Sequence, residues 1–233
     1  MKNMFRFLFK SFVAFMILSP LWVLSYAWID VSVTPLMGIR KLQSKQKHTI
    51  QHHWVPLNKI SKELQLAVIC SEDQHFIEHK GFDKKAIEKA LAEHKAGKRL
   101  RGASTISQQT AKNVFLWPHR SWIRKGLESY FTFLIESFWS KERILEIYLN
   151  SIEMGNGIYG AEAAAMFWFN KSAANLNRDE AAAIAAILPN PRKLLATPPS
   201  EYTQKRKEWI FIQMRNYGTL VLDKKEQNEY RGH

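Results

Sequence analysis

Between Gly102 and Asn113, the run GASTISQQTAKN places four hydroxyl side chains, two adjacent amides and one lysine within a dozen positions. Such a run suits contact with a polar, oxygen-rich ligand. Gly102 frees the backbone for a turn, Ser104 is placed to cap a helix, and the residues to Asn113 form that short helix. On it, Thr105, Gln108, Gln109 and Lys112 lie three and four residues apart and share a face. Taken alone this is an ordinary polar helix, and the flanks change its meaning. Upstream, EDQHFIEHKGFD (Glu72 to Asp83) sets Glu72 beside Asp73, with Phe76 and His79 following. Downstream, RSWIRKGLE (Arg120 to Glu128) puts Arg124 and Lys125 one turn from a second carboxylate, Glu128. In isolation that is a helix ion pair worth a few tenths of a kcal/mol, roughly 0.2–0.5.

Two glutamates with an amide and hydroxyl strip between them in sequence suit carbohydrate chemistry. Whether such a site cuts or builds a glycosidic bond turns on the leaving group. A hydrolase must protonate a poor leaving oxygen, so it needs a carboxylic acid of raised pKa besides its second carboxylate. A transferase using a sugar diphosphate needs cations at the leaving group and a single base for the acceptor's proton. Lys112, Arg120, Arg124 and Lys125 gather around the second glutamate in sequence, which fits a diphosphate. Glutamate at its ordinary pKa of about 4.3 is ionised near neutrality and ready to act as that base.

The elements that must position these residues are helical. Ile60, Leu64, Ala67 and Val68 repeat at helical spacing ahead of Glu72, and Asp83 can cap a helix that Gly97 closes. Ser121 opens a long helix with Ile123, Leu127, Tyr130, Leu134 and Phe138 on one stripe and Arg124, Lys125 and Glu128 on the other side. Ser140 opens another. The run GNGIYG, Gly155 to Gly160, reads as a turn, and Asn177 with Glu180 as a capping box before an alanine-rich helix stopped by Pro189 and Pro191. A last helix runs from about Ser200 to Tyr217. No useful length of period-2 alternation occurs, so the domain is expected to be mainly α.

The 233 residues suffice for one sizeable core. The net charge of +13 calls for an anionic partner: nucleic acid, phosphate-bearing lipid or an acidic polymer. Residues 11–29 carry no charge and read as a transmembrane helix, with residues 1–10 cytoplasmic and Trp22, Tyr26 and Trp28 forming an aromatic belt. The alternative is a cleaved signal ending near Ser25-Tyr26-Ala27, but the apolar stretch is long for one. Residues 30–55 read as a basic linker whose His48, His52 and His53 lack acidic or cysteine companions for a metal. The catalytic domain is expected over 56–220, with a polar tail over 221–233. Lys95, Lys98, Arg99 and Arg101 form a basic run suited to anionic headgroups. The single cysteine, Cys70, sits in the apolar run LAVIC and reads as core. Val114 to Pro118, VFLWP, is apolar and serves either the core or the bilayer.

The motifs EDQHFIEHKGFD, GASTISQQTAKN, RSWIRKGLE and KERILEIYLN (Lys141 to Asn150) resemble, in order, the signature motifs of the peptidoglycan glycosyltransferases, family 51. The likeness runs from about Pro56 to Pro191. About forty residues follow, with no Lys-Thr-Gly triplet, so the expectation is the monofunctional form without a transpeptidase. Ser44 to Lys47 fits a Ser-x-x-Lys pattern by chance.

The resemblance implies a lysozyme-like α-helical fold and an inverting transfer of a lipid-linked glycan onto the 4-hydroxyl of lipid II. Glu72 is then the general base and Glu128 the second catalytic glutamate, near the donor phosphates and linked in some relatives to a divalent cation, Mg2+ or Mn2+. No organic cofactor is implied. Ser104, Thr105, Gln108, Gln109, Lys112 and Asn113 line the donor site, Arg120, Arg124 and Lys125 hold diphosphate, and Asp73, His79 and Glu146 brace the cleft. The implied partners are lipid II, the lipid-linked nascent strand, the membrane and other cell-wall synthesis proteins, with no nucleic acid. The implied location is the cytoplasmic (inner) membrane, crossed once, with the domain on the periplasmic side. Departures from the family pattern are Ala103 for glycine, Ser107 for threonine, and Leu127 where some relatives carry lysine.

Three rivals remain on the residues alone. His75 to His79 spells His-x-x-Glu-His, a zinc-peptidase pattern. A lytic muramidase would share the scaffold, and a membrane-tethered glycan-binding protein would share the polar cleft without turnover.

Overall fold

Most helices begin where a short polar side chain can accept from an otherwise free first-turn amide. In the computed structural model, which describes residues 1–43, 50–97, 104–119 and 121–222, Ser61, Asp83, Ser121, Ser140 and Ser200 cap α3 (Lys62–Glu72), α4 (Lys84–Lys95), α6 (Trp122–Phe138), α7 (Lys141–Ser151) and α10 (Glu201–Tyr217). Asn177 and Glu180 close the expected capping box on α9 (Arg178–Ile187). Helix α5 (Ile106–Phe115) departs from expectation: its cap is Thr105, not Ser104. Thr105 Oγ1 accepts from Gln108 N at 3.2 Å while Gln108 Oε1 accepts from Thr105 N at 3.0 Å, so both side chains are spent on the helix start.

The remaining elements are α1 (Lys2–Ser25), α2 (Pro35–Gln43), α8 (Ala161–Phe169) and a three-stranded sheet of β1 (Gln51–His52), β2 (Glu153–Gly155) and β3 (Ile158–Tyr159). Helices α3, α9 and α10 pack on one another, and α5 lies against α6 and α7. Tyr148, Phe76, Leu64, Ile106, Ile135 and Ile144 are among the largest side chains fully buried between them. Alanines at 181, 182, 185 and 186 on α9 are buried, a small-residue surface that lets neighbouring helices approach closely.

Several expectations are corrected. The domain is mainly α, but the run read as a turn is a β2–β3 hairpin, and β1 pairs in parallel with β3 through Gln51 opposite Ile158 and His52 opposite Tyr159. Strands of two and three residues are too short to show alternation in sequence. The stretch expected to be a linker carries α2 and β1, with Leu36 and Met37 buried and His52 bonded to the Asn150 carbonyl at 2.9 Å. The apolar N-terminal helix spans Lys2–Ser25 and is long and apolar enough to cross a membrane, starting earlier and ending sooner than residues 11–29. Its far end is docked: Ser19 Oγ meets Tyr130 Oη at 2.9 Å, Trp139 Nε1 donates to Val23 O, and the Trp22 ring packs edge-on against Phe115 at 5.0 Å. Trp22 and Tyr26 thus also contact the domain, through Phe115.

On α6 the apolar stripe turns inward only in part, Leu134 being buried and Leu127 and Tyr130 half-buried against the core. Arg124 and Glu128 are buried with Phe131 and Ile135, whereas Ile123 and Phe138 are exposed. The inward face there lines a polar cavity, and the outward apolar face lies on the helix that packs against α1. Val114, Phe115 and Leu116 are buried, which assigns that part of VFLWP to the core. The Ser44 to Lys47 pattern, His48, Lys98, Arg99, Arg101, Gly102, Ala103, Arg120 and the tail from residue 223 lie outside the described residues.

Candidate active site

Glu72 is the last residue of α3, and its neighbour Asp73 fixes where that helix stops. Asp73 Oδ2 accepts from the Ile106 amide at 3.0 Å, and both its oxygens accept from His79 Nε2 at 2.8 and 3.0 Å. A carboxylate on the first amide of α5 also meets the positive end of that helix. Asp73 and His79 thus pin the end of α3 to the start of α5, which brings Glu72 opposite Gln109. The intervening loop crosses α6 at Gly81 (φ +83°), where a Cβ would lie 2.7 Å from Thr132 Cγ2, so only glycine fits. Below it, Ser107 bonds Glu136, and Lys141 Nζ reaches the same carboxylate at 2.8 Å. That network ties α5, α6 and α7 together.

Glu72 Oε2 accepts from Gln109 Nε2 at 3.0 Å and Oε1 from Ser71 Oγ at 3.2 Å, while Arg206 of α10 stands 3.5 Å away. Gln109 is oriented from behind by the buried Tyr148, whose hydroxyl donates to its Oε1 at 3.3 Å. Burial pushes the Glu72 carboxyl above its usual range; Gln109, Arg206, Ser71 and Lys112 pull the other way without cancelling that. A base raised toward neutrality takes up a proton more readily than one at its ordinary pKa. Glu72 lines a cavity of about 410 Å³ with Asp73, His75 and Trp209.

Ser104 also lines a second cavity, of about 550 Å³, together with Gln109, Lys112, Asn113, Arg124, Lys125 and Glu128. Here Glu128 is occupied by two ion pairs, to Lys125 Nζ at 2.5 Å and Arg124 Nη1 at 3.7 Å. Burial lowers the Lys112 ammonium's pKa, Glu128 and Glu72 raise it, and Arg124 and Lys125 lower it further. Lys112 therefore sits electrostatically between the two glutamates. A cluster of three cations around one carboxylate leaves net positive charge for an anion.

Of the residues singled out by sequence, the cleft gathers Glu72, Ser104, Gln109, Lys112, Asn113, Arg124, Lys125 and Glu128. Thr105 and Gln108 are helix-capping residues, the Thr105 hydroxyl also donating to Gly81 O at 2.7 Å. Glu146 faces away: it accepts from Leu57 N at 2.9 Å and pairs with Arg143 at 2.6 Å, bracing the entry to the domain. Arg120 lies outside the described residues. Cys70 is buried and free, its thiol pushed up to about 12 by burial. His75 and His79 are turned to different carboxylates, Asp83 and Asp73, and not to a shared point as a zinc peptidase requires. Among the described residues no group of three or more His, Cys, Asp or Glu could hold a metal, and Glu128 is already spanned by cations. Sequence reasoning missed Arg206 and Tyr148, which reach Glu72 and Gln109 from α10 and α7.

One buried carboxylate beside a cationic cavity, on a helical scaffold, suits a group transfer whose leaving group is an anion. Comparison with known proteins narrows the class. The transglycosylase family profile matches residues 39–215. The chain is 55% identical over 212 residues to a biosynthetic peptidoglycan transglycosylase of Bacteroides thetaiotaomicron, covering 90% of this chain and 86% of that protein. It is 56% identical over 178 residues to the protein of that name from Aeromonas hydrophila, 76% of each, and 51% identical over 208 residues to that of Bdellovibrio bacteriovorus, 88% and 83%. The chain belongs to the transglycosylase family.

Proposed function

We propose that this peptidoglycan glycosyltransferase polymerises lipid II into β-1,4-linked strands with Glu72 as its single base. Glu72 takes the proton of the acceptor's 4-hydroxyl as that oxygen bonds to the donor's anomeric carbon. The bond from that carbon to the polyprenyl diphosphate breaks on the opposite face, its electron pair leaving with the diphosphate, so configuration inverts. Lys112, Arg124 and Lys125 receive the leaving charge, Glu128 holds Arg124 and Lys125 in place, and Ser104, Gln109 and Asn113 hydrogen-bond the donor. The observation that carries the reading is the division of charge across α5, with Glu72 on Gln109 to one side and the cations around Glu128 to the other. A divalent cation, Mg2+ or Mn2+, would come with the diphosphate oxygens and offset their charge.

The membrane supplies the lipid substrate. Helix α1 is mostly exposed and apolar, and α6, packed on it, also exposes Trp122, Ile123 and Phe133. These surfaces support a single-pass anchor in the cytoplasmic membrane with the domain on its periplasmic face. Detergent-solubilised protein incubated with labelled lipid II should yield polymer that a muramidase digests. Binding of lipid II without polymer would favour a glycan-binding protein, and shortening of preformed strands would favour a lytic enzyme.

A further inference from the structure

The cavity that holds Glu128 is also lined by a second group of charges. Arg40 of α2, Glu153 of β2 and Arg192, which follows α9, all line it. None belongs to the sequence motifs of the catalytic cluster. The charges bearing most on Glu153 are Arg192 and Arg40, whereas those bearing most on Lys112 are Glu128, Arg124, Glu72 and Lys125.

This wall is underused by the protein itself. Arg40 Nε is buried with no hydrogen-bond partner among the described residues. Arg192 Nε donates to Asn156 Oδ1 at 3.3 Å and stands 3.8 Å from Glu153 Oε1, and its side chain is half exposed. Glu153 is anchored by accepting from Gly157 N at 3.2 Å in the hairpin turn. Two guanidinium groups thus flank one carboxylate, with one positive charge in excess. A buried, idle guanidinium N–H such as that of Arg40 is costly unless a ligand completes it, Arg192 beside it is open to solvent and free to reach a ligand, and the planar fork of each suits a carboxylate or a phosphate.

We propose that Arg40 and Arg192, spaced by Glu153, form a subsite that takes a carboxylate of the peptide carried by the donor glycan. The proposal rests on the glycosyltransferase reading of the cleft. The diphosphate already has three cations on α5 and α6, so the anion left for this wall is one borne on the sugar chain. Peptide-bearing saccharides supply it as free carboxylates. Glu153 limits the attraction, so that the strand is held and still released after each transfer.

The test compares lipid II with its peptide intact and lipid II with its peptide removed, using full-length protein in detergent. Wild type should turn over the peptide-free substrate with a kcat/KM lower by about tenfold, the worth of one charged hydrogen bond. Arg192→Gln and Arg40→Gln should lose about that factor on intact lipid II and little on the peptide-free form. Glu153→Gln, which keeps the acceptor for Gly157 and removes the opposing charge, should bind intact lipid II more tightly. Arg192 is half exposed, so its replacement leaves the fold standing. Equal losses on both substrates would mean that this wall holds phosphate, and no loss on either would mean that it holds nothing; both overturn the proposal. Inactivity of wild type on both substrates would instead overturn the glycosyltransferase reading beneath it.

Discussion

Replacing Glu72 by glutamine should abolish turnover and leave the protein no less stable. General-base catalysis contributes about 10²–10⁴ in rate, or roughly 3–5 kcal/mol of barrier. Glu72→Gln should therefore polymerise lipid II at least a hundredfold more slowly. The stability side follows from burial. The folded protein holds the Glu72 proton more tightly than the unfolded chain does, even with Gln109, Arg206, Ser71 and Lys112 favouring the ion. The carboxyl's contribution thus favours the fold below the unfolded pKa and is lost as pH rises through the folded one. As pH rises through the folded pKa the wild type comes to carry an ionised, desolvated carboxylate that the amide does not. The amide also fits, since its carbonyl can face Gln109 and its N–H the Ser71 hydroxyl. Melting followed by circular dichroism should place Glu72→Gln at or above wild type at pH 8, with the gap closing toward pH 4. A variant within tenfold of wild-type activity, or one that melts progressively below wild type as pH rises, would refute this reasoning.

Other perturbations separate the roles of neighbouring groups. Arg206→Gln removes a cation 3.5 Å from Glu72, so the acid limb of the kcat/KM profile should move to higher pH, and an unmoved limb would detach Arg206 from the base. Lys112→Met should cost about 10²–10³ in kcat, as loss of a transition-state charge donor does, read in the same polymerisation assay. Asp73→Ala strands the Ile106 amide and His79, with a stability cost on the order of 3 kcal/mol measurable by denaturant unfolding. Gly160→Ala puts a Cβ 2.7 Å from the Asn150 carbonyl oxygen at φ +83° and ψ 161°, a backbone region essentially confined to glycine, costing at least roughly 1–3 kcal/mol in denaturant unfolding.

Much of the scaffold is legible from capping chemistry, because Asp83, Ser121, Ser140, Asn177 and Ser200 act locally and mark helix starts wherever the tertiary structure puts them. What periodicity cannot say is which face turns inward. On α6 the apolar stripe implies that Ile123 and Phe138 are core, yet a polar cleft takes the inward side and buries Arg124 and Glu128. The adjacent Ser104 and Thr105 are equally good caps in sequence, and contact with Gly81 and Gln108 decides for Thr105. The site is legible where its residues cluster in motifs, as Glu72, Gln109, Lys112 and Glu128 do. Arg206, Arg40, Glu153 and Arg192 reach it from distant elements with no local pattern to distinguish them from ordinary surface residues, and Tyr148, though inside KERILEIYLN, sits on that helix's apolar stripe and reads as core.

The most direct test of a single-base, diphosphate-leaving mechanism is the anomeric configuration of the product. Lipid II, α-linked to its diphosphate, should be converted by wild-type protein to polymer whose new linkages are all β-1,4 by NMR. New linkages of retained α configuration would require two successive displacements through a covalent glycosyl-enzyme, and would contradict the assignment of Glu72 as a base acting once.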